Sequence, residues 1–257
     1  MDTWRLIVDG PAEGARNMAV DRAILSAHES GSAPPTLRLY RWSLPTVSLG
    51  RFQDIGDVDL AYCREHGICV CRRPTGGRGV LHDDELTYSV VAGVRDGLPR
   101  GIPGSYRVLC GALAEAYREL GIAAELTARS RGPRGSGACY LHATPADLSL
   151  GAAKLSGSAQ VWSHDSCLQH GSFTITRDIG REAAVFRLDH DVRTALAKTT
   201  LTIADACESP PADDVLEAAV VAGFERVFRI RFDRGGLSPD EERAAGEAVA
   251  DFALPGL

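Results

Sequence analysis

The sequence predicts an α+β fold in which mixed β-sheets pack against α-helices. Strand-like segments are grouped in the middle of the chain, and amphipathic helical segments lie between and after them. No internal repeat or long low-complexity segment interrupts this layout. The 257 residues, 44% of them apolar, are enough to form a sizeable buried core. We therefore predict a single domain over residues 1–257, with a mainly helical C-terminal part over residues 191–257.

Each element is predicted from apolar periodicity and from the residues that bound it. Helices are predicted at 17–31, 57–67, 105–121, 213–228 and 238–252. The helix over 57–67 would use Asp57 as its N-cap and Gly67 as its C-terminal stop. The last helix would begin with a capping box formed by Ser238 and Glu241. Strands are predicted at 36–42, 46–52, 68–73, 86–93 and 167–175, with a hairpin within 139–162.

Composition and charge argue against several classes of protein. No apolar run approaches the roughly 18 residues of a membrane span, and the first residues lack the pattern of a secretory signal. The net charge of -6 argues against a nonspecific nucleic-acid binder. Seven cysteines at irregular spacing fit neither a disulfide framework nor a zinc ribbon. We therefore expect a cytoplasmic protein that binds neither nucleic acid nor a membrane.

The segment RRPTGGRGVLHDDELTYSVV, residues 72–91, is the first candidate for a functional site. As a bare pattern, Gly76-Gly77 between two strands is typical of a hairpin turn. The segment lacks the spacing of a P-loop and of a dinucleotide-binding fingerprint. Its adjacent glycines nevertheless allow the backbone to approach a ligand closely, and Arg73 and His82 crowd the same turn. These neighbouring residues favour a binding site for a polar or anionic group.

Lysine is rare in this chain, because only Lys154 and Lys198 occur among 28 basic residues. A coding bias toward arginine accounts for the overall skew. An ammonium is nevertheless a compact charge that loses its proton more readily than a guanidinium. Lys198 is predicted at the exposed end of a short helix. Lys154 lies in GAAKLSGSAQ, where small neighbours leave its amine room to reach a ligand; the alternative is an ordinary exposed hairpin lysine.

Cys139 is the candidate nucleophile. It follows a basic, glycine-rich loop and precedes Lys154 by fifteen positions. Most free cysteines are small buried apolar residues. Cys69, Cys71 and Cys110 are predicted on such buried faces, but Cys139 is on no obvious apolar face. A thiol beside an ammonium has a lowered pKa and is a nucleophile at neutral pH. The sequence permits such a pair without placing it in space.

The histidines offer weaker candidates. His142 could serve as a base, although a structural role is favoured. His164, Cys167 and His170 are spaced by three residues, and on a strand this spacing puts neighbours on opposite faces. We therefore predict no metal site.

Five segments, in this order, resemble the lipoate- and biotin-protein ligase superfamily: NMAVD, LYRWSLPTVSLGRFQ, RRPTGGRGVLHDDELTYSVV, AKLSGSAQ and LQHGSF. The resemblance implies a biotin/lipoyl protein ligase-like catalytic domain with a tunnel for a medium-length acyl chain. Each methylene buried there would contribute about 0.8 kcal/mol to binding. The turn reads Gly-Gly-Arg where ATP-dependent lipoate ligases typically have three glycines. Together with the ACY segment at Cys139, this is most similar to the cysteine-dependent octanoyltransferase branch.

The resemblance also implies roles for particular residues. Cys139 would be the nucleophile, and Lys154 would contact the acyl carbonyl. The residues implied to bind the acyl substrate are Arg73, Gly76, Gly77, Arg78, Val80, His82, Gly157, Ser158, His170, Gly171 and Ser172.

The branch implies transfer of an octanoyl group from acyl carrier protein to a lysine of a lipoyl domain, such as the glycine cleavage H protein. The reaction would pass through a thioester on Cys139 and use no cofactor. Arg72, Arg129, Arg131 and Arg134 are candidates for steering the acidic carrier. One alternative is a lipoate-protein ligase that uses ATP and Mg²⁺, forms lipoyl-AMP and does not need Cys139. Another is a non-catalytic module that binds an acyl group or a carrier protein.

Overall fold

A computed structural model describes residues 2–127, 138–139 and 147–254 of the chain. The strands are β1 (Thr3–Val8), β2 (Thr36–Tyr40), β3 (Thr46–Leu49), β4 (Cys69–Arg72), β5 (Val80–His82), β6 (Glu85–Gly93), β7 (Glu125–Leu126), β8 (Leu148–Leu150), β9 (Ala153–Ser156), β10 (Ser158–Ser163), β11 (Ser166–Thr174) and β12 (Arg231–Arg234). The α-helices are α1 (Gly14–Glu29), α2 (Leu60–Glu65), α3 (Ile102–Glu119), α4 (Ile179–Val185), α5 (His190–Thr199), α6 (Ile203–Ala206), α7 (Asp213–Phe228) and α8 (Pro239–Phe252).

A six-stranded mixed sheet forms the centre of the fold, in the order β10-β11-β6-β2-β1-β12. Along this order, the pairs β10-β11, β11-β6 and β6-β2 are antiparallel, whereas β1 is parallel to both β2 and β12. All nine residues of β6 are buried, as expected for a central strand that is covered on both faces.

Helices cover both faces of this sheet. Helices α3 and α7 pack against one face, where Leu113 and Phe224 join a large apolar core with Tyr88 of β6. Helices α1 and α8 pack against the other face, where Ile24 and Ala245 form a second core. The predicted α+β fold, with mixed sheets packed against helices, is therefore confirmed.

A small three-stranded sheet carries the glycine turn, and its topology shows that the hairpin interpretation of Gly76-Gly77 is wrong. Its order is β4-β3-β5, with β3 parallel to β4 and antiparallel to β5. The turn after β4 therefore crosses the end of β3 instead of joining paired neighbours. The crossing is close: a Cβ atom added to Gly50 would lie 2.0 Å from the carbonyl oxygen of Gly77. Only glycine at position 50 allows it.

A third sheet, β7-β8-β9, contains the predicted hairpin around Lys154. Strands β8 and β9 are joined by Gly151, whose φ of +59° is a conformation that glycine adopts readily. Lys154 also forms an isolated parallel bridge with Thr200, just beyond α5. The backbone of Lys154 is thus held from two sides.

Most of the predicted elements are present, and one predicted cap is wrong. The capping box of Ser238 and Glu241 is confirmed at the start of α8. The N-cap of α2 is Asp59, whose carboxylate accepts a hydrogen bond from the Tyr62 amide, whereas Asp57 lies in a preceding 3₁₀ turn. Both aspartates have the chemistry of an N-cap, and the turn before α2 decides between them.

Residues beyond 190 form helices α5 to α8, and β12, which the sequence interpretation did not predict. Strand β12 pairs with β1 at the edge of the main sheet. Lys198 is exposed near the end of α5, as predicted. Across residues 2–127, 138–139 and 147–254, no helix has the length and apolarity needed to cross a membrane.

Candidate active site

Cys139 and Lys154 lie together in the structure. The Nζ atom of Lys154 is 3.9 Å from the sulfur of Cys139 and 3.3 Å from its carbonyl oxygen. Lys154 is 2% exposed, and the carboxylate of Asp147 lies 3.1 Å from its Nζ atom. This ion pair is necessary because an uncompensated buried charge costs several kcal/mol. The chain therefore presents a thiol, an amine and a carboxylate in contact.

Cys139 is positioned by backbone contacts to the end of the glycine turn. Its amide donates to the carbonyl oxygen of Gly79 at 2.9 Å, and Ala138 forms a parallel bridge with Gly79. Ala138 is fully buried in a small core with Val185 and Phe186. A Cβ atom on Gly79 would lie 2.6 Å from the ring of Phe186, so a glycine is required for this approach.

Arg73 lies inside the turn, buried at 5% exposure. Its guanidinium donates to the carbonyl oxygens of Ser48 at 2.8 Å, Gly76 at 2.7 Å and Arg78 at 2.8 Å. Burial lowers the pKa of Arg73, while interaction with the sulfur of Cys139 acts in the opposite direction. Arg73 therefore both fixes the turn and places a positive charge in the neighbourhood of the candidate nucleophile.

A cavity runs from Cys139 along the turn and β11. The cavity and its open mouth together contain about 540 Å³ of space free of protein atoms. Its lining is mostly apolar, as expected of a ligand pocket with few polar groups. The predicted residues that line it are Arg73, Gly77, Val80, His82, Cys139, Gly157, Ser158, His170, Gly171 and Ser172. Lys154 lies directly behind Gly157, where an added Cβ atom would be 3.2 Å from the Nζ atom.

Two predicted binding residues lie outside the lining. Gly76 and Arg78 belong to the turn, and their carbonyl oxygens accept hydrogen bonds from Arg73. They shape the wall of the cavity without facing it. A direct role of either residue in substrate binding stays a prediction.

His82 is one of two buried histidines in the cavity wall that are paired with carboxylates. Its Nδ1 atom is 2.8 Å from Glu85, and its Nε2 atom is 2.8 Å from the hydroxyl of Ser48. The ring of Trp42 stacks on the imidazole with a centroid distance of 4.0 Å. Burial alone would raise the pKa of Glu85, but His82 and nearby hydroxyl donors, among them Ser172, bring it below its ordinary value.

His170 forms the second pair, with Asp21 of α1. Its Nδ1 atom is 3.0 Å from the carboxylate, and its Nε2 atom is 2.7 Å from the hydroxyl of Thr75 in the turn. Burial lowers the pKa of His170 despite the opposing effect of Asp21, so the imidazole is neutral at neutral pH. A neutral ring that donates from Nδ1 to Asp21 accepts at Nε2 from Thr75. The pair thereby ties α1, β11 and the turn together.

Several lining residues were not predicted from the sequence: Met18, Tyr40, Trp42, Ser48, Thr87 and Ala159. All six lie in segments that carried the family resemblance, four of them in NMAVD and LYRWSLPTVSLGRFQ. Asp21 is in the first of these segments as well, and a carboxylate on the apolar stripe of a helix is itself a signal, since buried charges are normally paired. Asp147 carried no comparable signal.

Other predicted residues have different outcomes. Arg129, Arg131, Arg134 and His142 lie outside the described residues. The guanidinium of Arg72 donates to three carbonyl oxygens of the neighbouring loop. These neutral acceptors leave its charge uncancelled, and its role in steering the carrier stays a prediction. Within the described part of the chain, no three His, Cys, Asp or Glu side chains are grouped so that they could hold a metal ion.

Comparison with known structures defines the class of protein. The fold superimposes on a crystal structure of lipoate-protein ligase A bound with ATP, with a TM-score of 0.81 and 26% identity, covering 97% of this chain and 95% of that one. The fold is thus that of the lipoate-protein ligases, as the resemblance implied.

Residues 13–225 match the model of the lipoyl protein ligase A/B catalytic domain, and the chain belongs to this family. It is 37% identical to octanoyltransferase LipM of Kyrpidia tusciae, over 98% of this chain and 97% of that protein. It is 38% identical to octanoyltransferase LipM of Moorella thermoacetica, over 98% of this chain and 96% of that protein. These similarities extend through the C-terminal residues, where the sequence motifs had ended.

Proposed function

We propose that this chain is an octanoyltransferase of lipoate biosynthesis. It moves an octanoyl group from acyl carrier protein to a lysine of a lipoyl domain, such as that of the glycine cleavage H protein, through a thioester on Cys139. The relatives that match the chain over nearly its full length are octanoyltransferases. The observation that carries the mechanism is the 3.9 Å separation between the sulfur of Cys139 and the amine of Lys154 at one end of a mostly apolar cavity.

In the first half-reaction the thiolate of Cys139 attacks the carbonyl carbon of the carrier thioester. A bond forms between that carbon and the sulfur of Cys139, the carbon–sulfur bond to the carrier breaks, and the carrier thiolate takes up the proton that Cys139 released. Lys154 is placed to stabilise the thiolate, and the hydrogen bond that it donates to the sulfur can pass to the oxyanion as negative charge moves onto the carbonyl oxygen. Asp147 keeps the amine oriented during these changes.

In the second half-reaction the amine of the acceptor lysine attacks the acyl-enzyme. The new amide bond forms, the bond to the sulfur of Cys139 breaks, and a proton of the amine returns to the sulfur. No nucleotide is consumed, because the thioester already carries the energy for amide formation. The two half-reactions share one acyl-enzyme and therefore follow a ping-pong order.

Intact-mass spectrometry tests this proposal. After incubation with octanoyl-acyl carrier protein, the protein gains the mass of one octanoyl group, and peptide mapping places it on Cys139. The Cys139→Ser variant gains no thioester, and Cys63→Ser, a variant of a fully buried thiol, is acylated normally.

The same experiment separates the alternatives. Absence of an adduct, combined with ATP-dependent modification of a lipoyl domain by the Cys139→Ser variant, would establish a ligase that needs ATP and Mg²⁺ instead. Absence of an adduct and of any modification of the lipoyl domain would establish a binding module.

A further inference from the structure

The loop after β3 carries an unusually exposed aromatic side chain. Phe52 is 86% exposed, whereas the next most exposed large apolar side chain of the described residues, Ile102, is 53% exposed. Single exposed apolar residues are common on protein surfaces. Exposure alone therefore indicates nothing, but this loop is also held in place by its neighbours and lies beside the cavity.

The loop around Phe52 is held rigidly by its neighbours. The guanidinium of Arg72 donates to the carbonyl oxygens of Gly50 at 2.8 Å, Arg51 at 3.3 Å and Gln53 at 2.8 Å. The amide of Arg51 donates to the carbonyl oxygen of Thr75 at 2.8 Å. The ring is thus presented on a fixed backbone, which lowers the entropy lost when a partner binds.

The loop also lies against the rim of the cavity. Gly50, two residues before Phe52, contacts the backbone of Gly77, which lines the cavity. Gln53, on the other side, approaches Gly79, whose carbonyl oxygen holds the amide of Cys139. Phe52 is therefore exposed next to the point where an acyl group on Cys139 must be reached.

The length of the reacting groups indicates which partner needs such a contact. A lysine side chain extends only about 6 Å from Cα to Nζ, since each of its bonds is about 1.5 Å long. An acceptor domain must therefore bring its backbone close to the acyl-enzyme and pack against the rim. The donor thioester hangs on a long flexible arm, so the body of the carrier can stay farther away.

We propose, on the basis of the proposed transferase function, that Phe52 is the docking contact for the acceptor lipoyl domain. The exposed guanidinium of Arg51 lies 5.3 Å from the centroid of the Phe52 ring. Aromatic side chains, phenylalanine among them, and arginine are enriched at protein interfaces. The complementary surface on the acceptor is an apolar depression flanked by an acidic side chain, next to the target lysine.

The test separates docking from chemistry by measuring the second half-reaction alone. Wild-type protein and the Phe52→Ala variant are loaded with octanoate from octanoyl-pantetheine, a small donor without a protein body. Release of the acyl group is then followed with the apo lipoyl domain and, separately, with hydroxylamine. We expect Phe52→Ala to lower the second-order rate with the lipoyl domain at least tenfold and to leave the hydroxylamine rate unchanged.

Val215→Ala is the matched control, because Val215 is 51% exposed on α7 and is not among the cavity-lining residues. It should leave both rates unchanged. A wild-type rate of transfer from Phe52→Ala to the lipoyl domain would overturn the proposal. Slower loading of Phe52→Ala from octanoyl-acyl carrier protein, with normal transfer to the lipoyl domain, would also overturn it, because the contact would then belong to the donor.

A direct binding measurement keeps the docking proposal separate from the transferase proposal. The apo lipoyl domain is titrated against Cys139→Ser and against the Cys139→Ser, Phe52→Ala double variant. Tighter binding by the single variant supports the docking contact even if no acyl-enzyme forms, and equal binding by both refutes it. Failure of wild-type protein to accept octanoate from any donor refutes the transferase proposal instead.

Discussion

Two buried arginines on neighbouring parts of the fold show how the same side chain serves different purposes. Arg38 on β2 is bound by carboxylates, with Asp21 at 2.8 Å and Asp9 at 2.7 Å. Burial acts to lower the pKa of Arg38, but Asp21 and its other neighbours raise it above the ordinary value. The hydrogen-bond acceptors that surround Arg73 in the described part of the chain are carbonyl and hydroxyl oxygens of Ser48, Thr75, Gly76 and Arg78.

The two arginines differ in how far neighbouring groups cancel the positive charge of the guanidinium. The charge of Arg38 is cancelled by its carboxylates, so its effect is confined to holding α1 against the main sheet. Neutral oxygens orient Arg73 without cancelling its charge. Asp147 compensates Lys154, whereas the uncancelled charge of Arg73 interacts with the sulfur of Cys139. The first arginine supports the fold, and the second is placed to support the proposed chemistry.

The largest expected effect is on stability, from Arg38→Met. The substitution leaves Asp21 buried without its guanidinium, and breaking a buried pair on one side costs about 3–5 kcal/mol of the free energy of unfolding. Urea denaturation measures this loss. The rate at which folded protein reacts with iodoacetamide at Cys139 should not change. A loss below about 1 kcal/mol would show that His170 and Ser89 are enough to stabilise the buried carboxylate of Asp21.

The next effect is on reactivity, from Arg73→Met. Removing a cation that interacts with the sulfur of Cys139 makes negative charge on that sulfur less favourable, and a nearby opposite charge is worth about tenfold or more in an equilibrium that creates charge. We therefore expect the alkylation of Cys139 at pH 7 to slow by about tenfold, measured by mass spectrometry of the labelled peptide. Arg73→Lys is the control that keeps the charge, and it should retain most of the rate. Equal rates for wild type and Arg73→Met would assign the stabilisation to Lys154 alone.

The sequence was sufficient to predict the fold class and most of the side chains of the site, because these lie in short segments with local signals. Gly77 and His82 are within one such segment, and Lys154 is conspicuous because lysine is rare in this chain. The pairing of Cys139 with Lys154 was predicted only as a possibility, since fifteen intervening residues fix no distance. The structure places them in contact.

The remaining features depend on contacts between distant segments. The insertion of β3 between β4 and β5 turns an apparent hairpin into a crossing, and nothing within residues 72–82 reports it. The partners of Asp21 come from β2, β6 and β11, which no local pattern brings together. Adjacent residues on a strand point to opposite faces, so Arg72 and Arg73 had to differ, but only the packing of the sheet decides which one is inside.

The smallest expected effect is from Arg72→Ala. This guanidinium lies at the surface and, among the residues that the structure describes, donates to carbonyl oxygens of the loop from Gly50 to Gln53. The carbonyl groups regain water when it is removed, so we expect a loss of about 1 kcal/mol in the free energy of unfolding. Alkylation of Cys139 should proceed at the wild-type rate. Arg51→Ala, a change of an exposed neighbour, should alter neither quantity. Slower alkylation in Arg72→Ala would contradict the division between the two arginines, because it would show that the outer one also acts on the thiol.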